Sequence, residues 1–583
     1  MTSVAQKSPE EPRGDFSAWF SNHAVVSTFL TSLLIVLTIM TFYRFNLQLC
    51  DDTFILMLSK GVGFVTAPEA MNTRLNIILS WFLTLLYSWF PTVQWYSVML
   101  VSTLSLSFWG LLLAFQSGTQ RNLKTLLAIL SGGIYAYLLT VLQWTMPATI
   151  AAISSFFLLY VLLQQKKPKN LKASLFLATI LILLSVGIRS TSVILVGLLA
   201  LPSVLALRKH WAMSPEKVFI LKVILGVLLI AASMVLFDGV YYRSKPEWSK
   251  AMSFGYEVFN LSEARRTYYD PSTQKHFDAV GWTKNDYEMF TNWYYMDENL
   301  YSTETLRRLS SAFPRFELNK RPGENFGTMF GLKSVQIVIV SVLLLFLLLP
   351  FAQIKTALFD VLWVAAVLVF MWVAFKIPER VFLPCLLFLL NLLILRATPR
   401  ELGGKLGLVW ERWIRRLSIF AIIVLAVMNL RFAVWLHGNE KIWCGYQDSF
   451  KASLADFKPD PSKLYVIWDS AFPYELIPAF DDFERFRDMP LVALAWFQRT
   501  PITKRMLDRF GVKDLFRDML DNPNIYLICT EWEASAYQRY LIEKHGLDCQ
   551  FDVMYASNFF RVYKIRTYPD PNHATDAPKK VKP

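Results

Sequence analysis

Long apolar runs punctuated by short polar segments dominate the first three quarters of the chain. They fall at residues 25–43, 96–115, 126–142, 147–163, 173–188, 191–207, 218–237, 335–351, 357–375, 381–395 and 417–436. Each approaches the roughly 17–25 residues that an α-helix needs to cross a bilayer, so the pattern predicts an α-helical polytopic membrane protein with about eleven transmembrane helices. The first run has no small-residue cleavage site behind it, which marks an uncleaved anchor rather than a secretory signal. Residues 75–90 are also apolar, but they stop at Pro91 and would have to turn at once into the next run. They are expected to be re-entrant or interfacial. Beyond residue 436 the pattern changes: strand-like runs at 464–468, 525–529 and 559–565 alternate with helical stretches such as 532–545, the signature of a small α/β domain.

Composition agrees with the membrane reading. Of 583 residues, 54% are hydrophobic and only 18% charged, with mean hydropathy +0.36; a soluble chain is normally about 25% charged. The net charge of +14 does not argue for nucleic acid, because cytoplasmic loops of membrane proteins collect Lys and Arg. That bias also sets the topology. With 75–90 not crossing, the inside loops hold Arg121, Lys124, Lys166, Lys167, Lys169, Lys172, Arg208, Lys209, Lys217, Lys355, Arg396, Arg400, Lys405, Arg412, Arg415 and Arg416, sixteen cations against three in the short outside loops. The expected organisation is a cytoplasmic tail (1–24), a membrane domain (25–436) with outside loops at 44–94 and 238–333, an extracytoplasmic α/β domain (437–570) and a disordered tail (571–583). Five cysteines and six scattered histidines suggest neither a disulfide scaffold nor a zinc site, although an outside Cys529–Cys549 bridge is open.

Three features carry candidate chemistry. Asp51 and Asp52 follow the first span, in a loop that also holds Glu69. Adjacent carboxylates at a membrane boundary are costly unless solvated, paired or used; the alternative is a helix N-cap at Asp52. The three outside exceptions to the charge rule, Arg189, Lys376 and Arg380, sit at the lipid boundary on the same side. They suit a substrate with a lipid tail and a phosphate, which cations would neutralise while a carboxylate takes a proton from an attacking hydroxyl; snorkelling to headgroups is the alternative. The run from Gly281 through Trp282, Asn285 and Asp286 to Asp297 mixes aromatic rings with amides and carboxylates, a pattern of sugar platforms and equally of interfacial aromatic belts. No phosphate-binding Gly-rich loop is present, which disfavours an ATP-driven pump.

The acidic pair after the first helix, the segment NIILSWFLTLLYSWFPTVQWY at 76–96 and GWTKNDYEMF at 281–290 resemble the GT-C superfamily of membrane glycosyltransferases, in particular its bacterial cell-envelope members. The resemblance covers the membrane part and leaves the tail largely unmatched. It implies a GT-C-like fold in a bacterial inner (plasma) membrane and an inverting transfer of a hexose or pentose from a polyprenyl-phosphate-linked sugar donor. The acceptor would be a glycan, lipid or protein outside the membrane, and nucleic acid is not an expected partner. By the resemblance, Asp51 or Asp52 is the base or acceptor-orienting residue. Arg189, Lys376 and Arg380 hold the donor phosphate by the topology argument alone, and Glu69, Trp282, Asn285 and Asp286 contact sugar or acceptor. No protein metal site is expected; a divalent cation, Mg or Mn, could bridge phosphate and carboxylates, but two carboxylates do not require one. The tail is expected to contribute to acceptor binding or partner contact. Rival readings are a lipid-linked glycan polymerase or ligase and a non-catalytic lipid or polysaccharide transporter.

Overall fold

The computed structural model describes residues 23–116, 121–165, 168, 170–207, 214–264, 267–313, 322–349, 351–374, 378–397, 408–468 and 471–569. The expected N-terminal tail, but for its last two residues, and the C-terminal tail lie outside them. The helices are α1 (Ala24–Phe42), α2 (Cys50–Lys60), α3 (Ile77–Trp89), α4 (Trp95–Gln116), α5 (Arg121–Leu130), α6 (Gly132–Thr140), α7 (Thr145–Gln164), α8 (Leu171–Leu207) and α9 (Pro215–Arg243). Then come α10 (Pro246–Phe259), α11 (Lys284–Thr291), α12 (Thr303–Ala312), α13 (Lys333–Phe346), α14 (Phe351–Ala374), α15 (Glu379–Arg396) and α16 (Leu408–Asp456).

Among the described residues, seven helices are long and apolar enough to span a membrane, or eight if the bent pair α5 and α6 is one span. The chain is a multi-pass membrane protein, but with fewer spanning helices than the eleven expected. The differences have local causes. Helix α13 has only 14 residues, and the charged Glu379, Arg380 and Arg396 take up the two ends of α15, which leaves a shorter apolar stretch between them. The runs 173–188 and 191–207 are two helices that meet at extended backbone at Arg189 within α8, and α8 as a whole is one of the seven. Its two halves both lie along α7: Ser155 Oγ bonds Ala178 O at 3.0 Å on one half, and Thr149 Oγ1 meets Ser192 Oγ at 3.0 Å on the other. Arg189 therefore stands at the turn of a helical hairpin. Helix α3 has 13 residues, about 20 Å of rise, short of a hydrocarbon core of about 30 Å. Ile77, Ser80, Leu83 and Tyr87 are buried along one face while Trp81, Phe82, Leu85 and Trp89 are exposed, as in a helix lying at an apolar boundary.

Helix α7 is apolar all round and most of it is buried, whereas α9, α14 and α16 expose Leu229, Leu362 and Leu430. Apolar side chains exposed in rows on long helices form the lipid-facing wall. Helix α16 runs for 49 residues, without a break at the expected domain boundary of 436/437. Beyond it, β3 (Leu464–Trp468), β4 (Leu491–Leu494), β5 (Ile525–Ile528), β6 (Leu547–Ala556) and β7 (Arg561–Pro569) make a sheet of order β4-β3-β5-β7-β6, parallel on the first side and antiparallel on the other. Helices α17 (Pro501–Arg509) and α18 (Glu531–His545) connect its strands. Every residue of β3 is buried, and successive side chains of a strand point to opposite faces. Tyr465 and Ile467 pack into the core continuous with the membrane helices. Leu464, Val466 and Trp468 pack into a second core with Phe254, Trp282, Tyr294 and Leu306 from the 238–333 segment. The sheet is thus a slab between the membrane helices and that loop. Cys529 and Cys549 are both buried in the second core as free thiols, so the Cys529–Cys549 bridge is absent.

A short parallel pair, β1 (Asn46–Leu47) with β2 (Val141–Leu142), ties the exit of α1 to the segment before α7 and fixes where α2 begins. Gly61 ends α2 with φ of 85°, and a Cβ there would lie 2.5 Å from Pro68 N. Gly61→Ala should therefore lower the thermal midpoint of the purified protein, whereas Gly132→Ala, with open space around it, should leave it unchanged or raise it. Equal midpoints would contradict the turn's role.

Candidate active site

Asp51 and Asp52 occupy the first turn of α2, where the helix dipole favours negative charge. Their surroundings differ. Asp52 is fully buried, and its Oδ1 accepts from Tyr96 Oη at 2.7 Å and from the Trp144 backbone N–H at 2.9 Å. Its Oδ2 is buried with no partner. Burial pushes the Asp52 pKa up to about 7, against the two hydrogen bonds, which pull it down. Asp51 is partly exposed, and its Oδ2 lies 3.7 Å from Arg74 Nη2.

Arg189, at the turn of the α8 hairpin, donates to Thr145 Oγ1 at 2.9 Å and Thr191 Oγ1 at 3.1 Å, and its guanidinium lies 4.5 Å from the Trp144 ring centroid. Trp144 thus bonds Asp52 through its backbone and carries Arg189 on its ring. Arg189 is within electrostatic range of Asp51, Arg74 and Arg380, and Arg380 within range of Asp52. Among the described residues Arg380 makes no hydrogen bond or ion pair. Its neighbour Glu379 accepts from Tyr137 Oη at 2.8 Å and Ser334 Oγ at 2.6 Å, which fixes the start of α15. Lys376 lies outside the described residues.

Arg74 is the member that sequence reasoning missed: a charge count confined to short loops passes over it. Its guanidinium lies 4.4 Å from the Trp496 ring centroid, and its Nε is buried without a partner. Glu69 accepts from the Met71 N–H at 2.9 Å and pairs with Arg505 of α17, so it braces the Arg74 loop against the C-terminal region rather than joining the cluster. Asp52 Oδ2, Arg74 Nε, Gln143 Oε1, Trp144 Nε1 and Trp496 Nε1 are all buried and unbonded. Buried unbonded polar atoms also occur elsewhere among the described residues, on Asn285, Asp286, Tyr294 and Asn429 for example, so the cluster is distinguished by its charge and not by these atoms. Three guanidinium groups against two carboxylates, one of them with its pKa near 7, leave the cluster with a positive surplus suited to an anion.

The other expected contacts are elsewhere. Trp282 is buried in the second core and donates to Leu300 O at 3.2 Å; Asn285 donates to Ala536 O at 3.0 Å. Asp286 closes the capping box of α11 with Thr283 and pairs with Lys544 at 2.7 Å. Asn285 and Asp286 thus join the loop to α18, while Trp282 is held within the loop; none of the three lies with the Asp51 cluster. Among the described residues no group of three or more His, Cys, Asp or Glu is placed to hold a metal ion.

No protein-family model and no curated protein matches the sequence. Among solved structures, the crystal structure of ArnT from Cupriavidus metallidurans in the apo state aligns with 94% of this chain and 98% of its own, at 12% identity and a TM-score of 0.42.

The Asp52 environment makes a prediction about stability. A carboxyl whose pKa rises from 3.8 unfolded to about 7 folded favours the fold below the lower value and loses that advantage as pH rises through the upper one, for a total on the order of 4 kcal/mol. Asn at 52 keeps an acceptor for Tyr96 and Trp144 without the charge. The thermal midpoint of Asp52→Asn minus that of wild type should therefore grow from pH 5 to pH 8. A pH-independent difference would show that Asp52 is not held near neutrality.

Proposed function

We propose that the chain is a GT-C-type glycosyltransferase that moves a sugar from a polyprenyl-phosphate donor to an acceptor on the side of the membrane bearing the Asp51 cluster. The observation that carries this reading is the convergence of Arg74, Arg189 and Arg380 on the Asp51–Asp52 turn, with a surplus of positive charge. A cationic cluster of this kind suits a lipid phosphate, and the exposed apolar face of α3, which docks on α8 through Asn76 N–H to Gly187 O at 2.8 Å, offers a path for its tail. The orientation proposed is that of the charge count, with the Asp51 cluster and the C-terminal region extracytoplasmic.

In this mechanism an acceptor hydroxyl attacks the anomeric carbon, the bond from that carbon to the phosphate oxygen breaks on the opposite face, and configuration inverts. Asp51, the accessible carboxylate, takes the hydroxyl proton. The electron pair leaves on the lipid phosphate, where Arg189 and Arg380, with Arg74 beside them, meet the developing charge in a poorly solvated site. Asp52 touches no substrate. It is a positioning residue that sets Trp144 and, through the Trp144 ring, Arg189. Lys376 retains its assignment to the phosphate as part of the proposal, as does the transfer of a hexose or pentose to a cell-envelope glycan, lipid or protein.

The test is turnover of a panel of radiolabelled polyprenyl-phosphate monosaccharides by protein in lipid nanodiscs. Asp51→Asn should lower kcat by about 10²–10⁴-fold with little change in donor affinity. Arg380→Met should weaken donor binding by about 10–150-fold, the worth of a lost charge-assisted hydrogen bond. Turnover unchanged in both variants would overturn the mechanism. Binding without turnover in wild type would favour the transporter reading.

A further inference from the structure

A cleft of about 820 Å³ lies between the 238–333 segment and the C-terminal region, and none of Asp51, Asp52, Arg74, Arg189 or Arg380 lines it. Its size falls within the range of about 300–1,000 Å³ usual for ligand sites. The floor is apolar and buried, with Phe254, Tyr295 and Phe516; the rim is polar. Five Lys or Arg and five Asp or Glu line it, so it carries no net charge to attract a polyanion.

The polar lining alternates donors and acceptors. Lys250, Glu298, Asn299, Asp508 and Lys513 line the cleft and make no side-chain hydrogen bond or ion pair among the described residues. Arg499 is the built element of the wall. Its Nε donates to Tyr295 O at 3.1 Å, its Nη2 to Asp297 O at 3.5 Å, and its guanidinium lies 4.1 Å from the Phe254 ring centroid. That fixes a planar donor group in the wall of the cleft. Paired donors and acceptors over an apolar floor, with zero net charge, match a polyol better than a phosphate or a lipid tail.

The cleft is next to the Asp51 cluster. Pro501, Lys504 and Asp508, at helical spacing on α17, form one wall. Arg505 of the same helix pairs with Glu69, and Trp496, just upstream, stacks on Arg74. One helix, about 10–12 Å across with its side chains, separates the two sites.

We propose that this cleft is an acceptor subsite that holds a short, uncharged oligosaccharide on the far side of α17 from Asp51. The acceptor role rests on the glycosyl-transfer reading; saccharide binding itself does not.

The experiment applies the full chain in nanodiscs to a printed array of short bacterial surface oligosaccharides, with an array of peptides beside it, and measures hydrolysis of polyprenyl-phosphate monosaccharide to water separately. Wild type and Asp51→Asn should retain the same oligosaccharides. Thr303→Trp and Ala251→Trp, which fill the cleft from different helices, should lose about tenfold or more in affinity while keeping the wild-type rate of donor hydrolysis and thermal midpoint. Retention of no oligosaccharide by wild type, retention of peptides only, or affinities unchanged in both Trp variants would overturn the proposal. Array binding without donor hydrolysis would sink the transferase reading and leave a saccharide site; donor hydrolysis without array binding would do the reverse.

Discussion

Like charges gathered in a poorly solvated place repel, and the structure around Arg74, Arg189 and Arg380 is organised to hold them together. Each guanidinium or its helix is fixed by something other than the Asp pair. Arg74 rests on Trp496, Arg189 on Trp144 and two threonine hydroxyls, and Arg380 follows Glu379, which Tyr137 and Ser334 lock in place. The carboxylates offset only part of the repulsion, since burial keeps Asp52 near the midpoint of its titration at neutral pH. Fixed cations in such an arrangement are what the proposed phosphate site requires.

The fold supplies these groups from distant stretches of sequence. The β1–β2 pair brings the exit of the first span to the segment before α7, so that Asp52 can bond Trp144 N–H across 92 residues. The reversal of α8 puts Arg189 at a hairpin tip instead of in mid-membrane. The C-terminal sheet is clamped between two cores, and its β4–α17 connection reaches back with Trp496 and Arg505 to brace Arg74 and Glu69. The geometry of the Asp51 cluster therefore depends on the region beyond α16.

What the sequence discloses follows the strength of local signals. Apolar runs are strong signals, and most of the long helices stand where the runs do, the two that flank Arg189 included; composition, however, cannot register that α13 is one turn too short. The Asp pair and Arg189 are visible because charge at a lipid boundary is costly wherever it occurs. Arg74 is not, because it sits in a long loop where cations are ordinary and only the approach of Trp496, more than 400 residues away, makes it part of the cluster. Trp282, Asn285 and Asp286 are ambiguous in sequence because aromatic rings with amides and carboxylates serve a packed, capped interface as well as a sugar platform; in the fold Asn285 and Asp286 bond to α18 and Trp282 packs in the second core.

The most direct measurement is the affinity of the nanodisc-embedded protein for polyprenyl monophosphate compared with the uncharged polyprenol of the same length, in wild type and in the triple variant Arg74→Met, Arg189→Met and Arg380→Met. Wild type should prefer the phosphate by about 100-fold or more, roughly the worth of two charge-assisted contacts, and the variant should bind both lipids alike. Equal affinity of wild type for the two lipids, or a preference that survives in the triple variant, would contradict an anion site built by the three arginines.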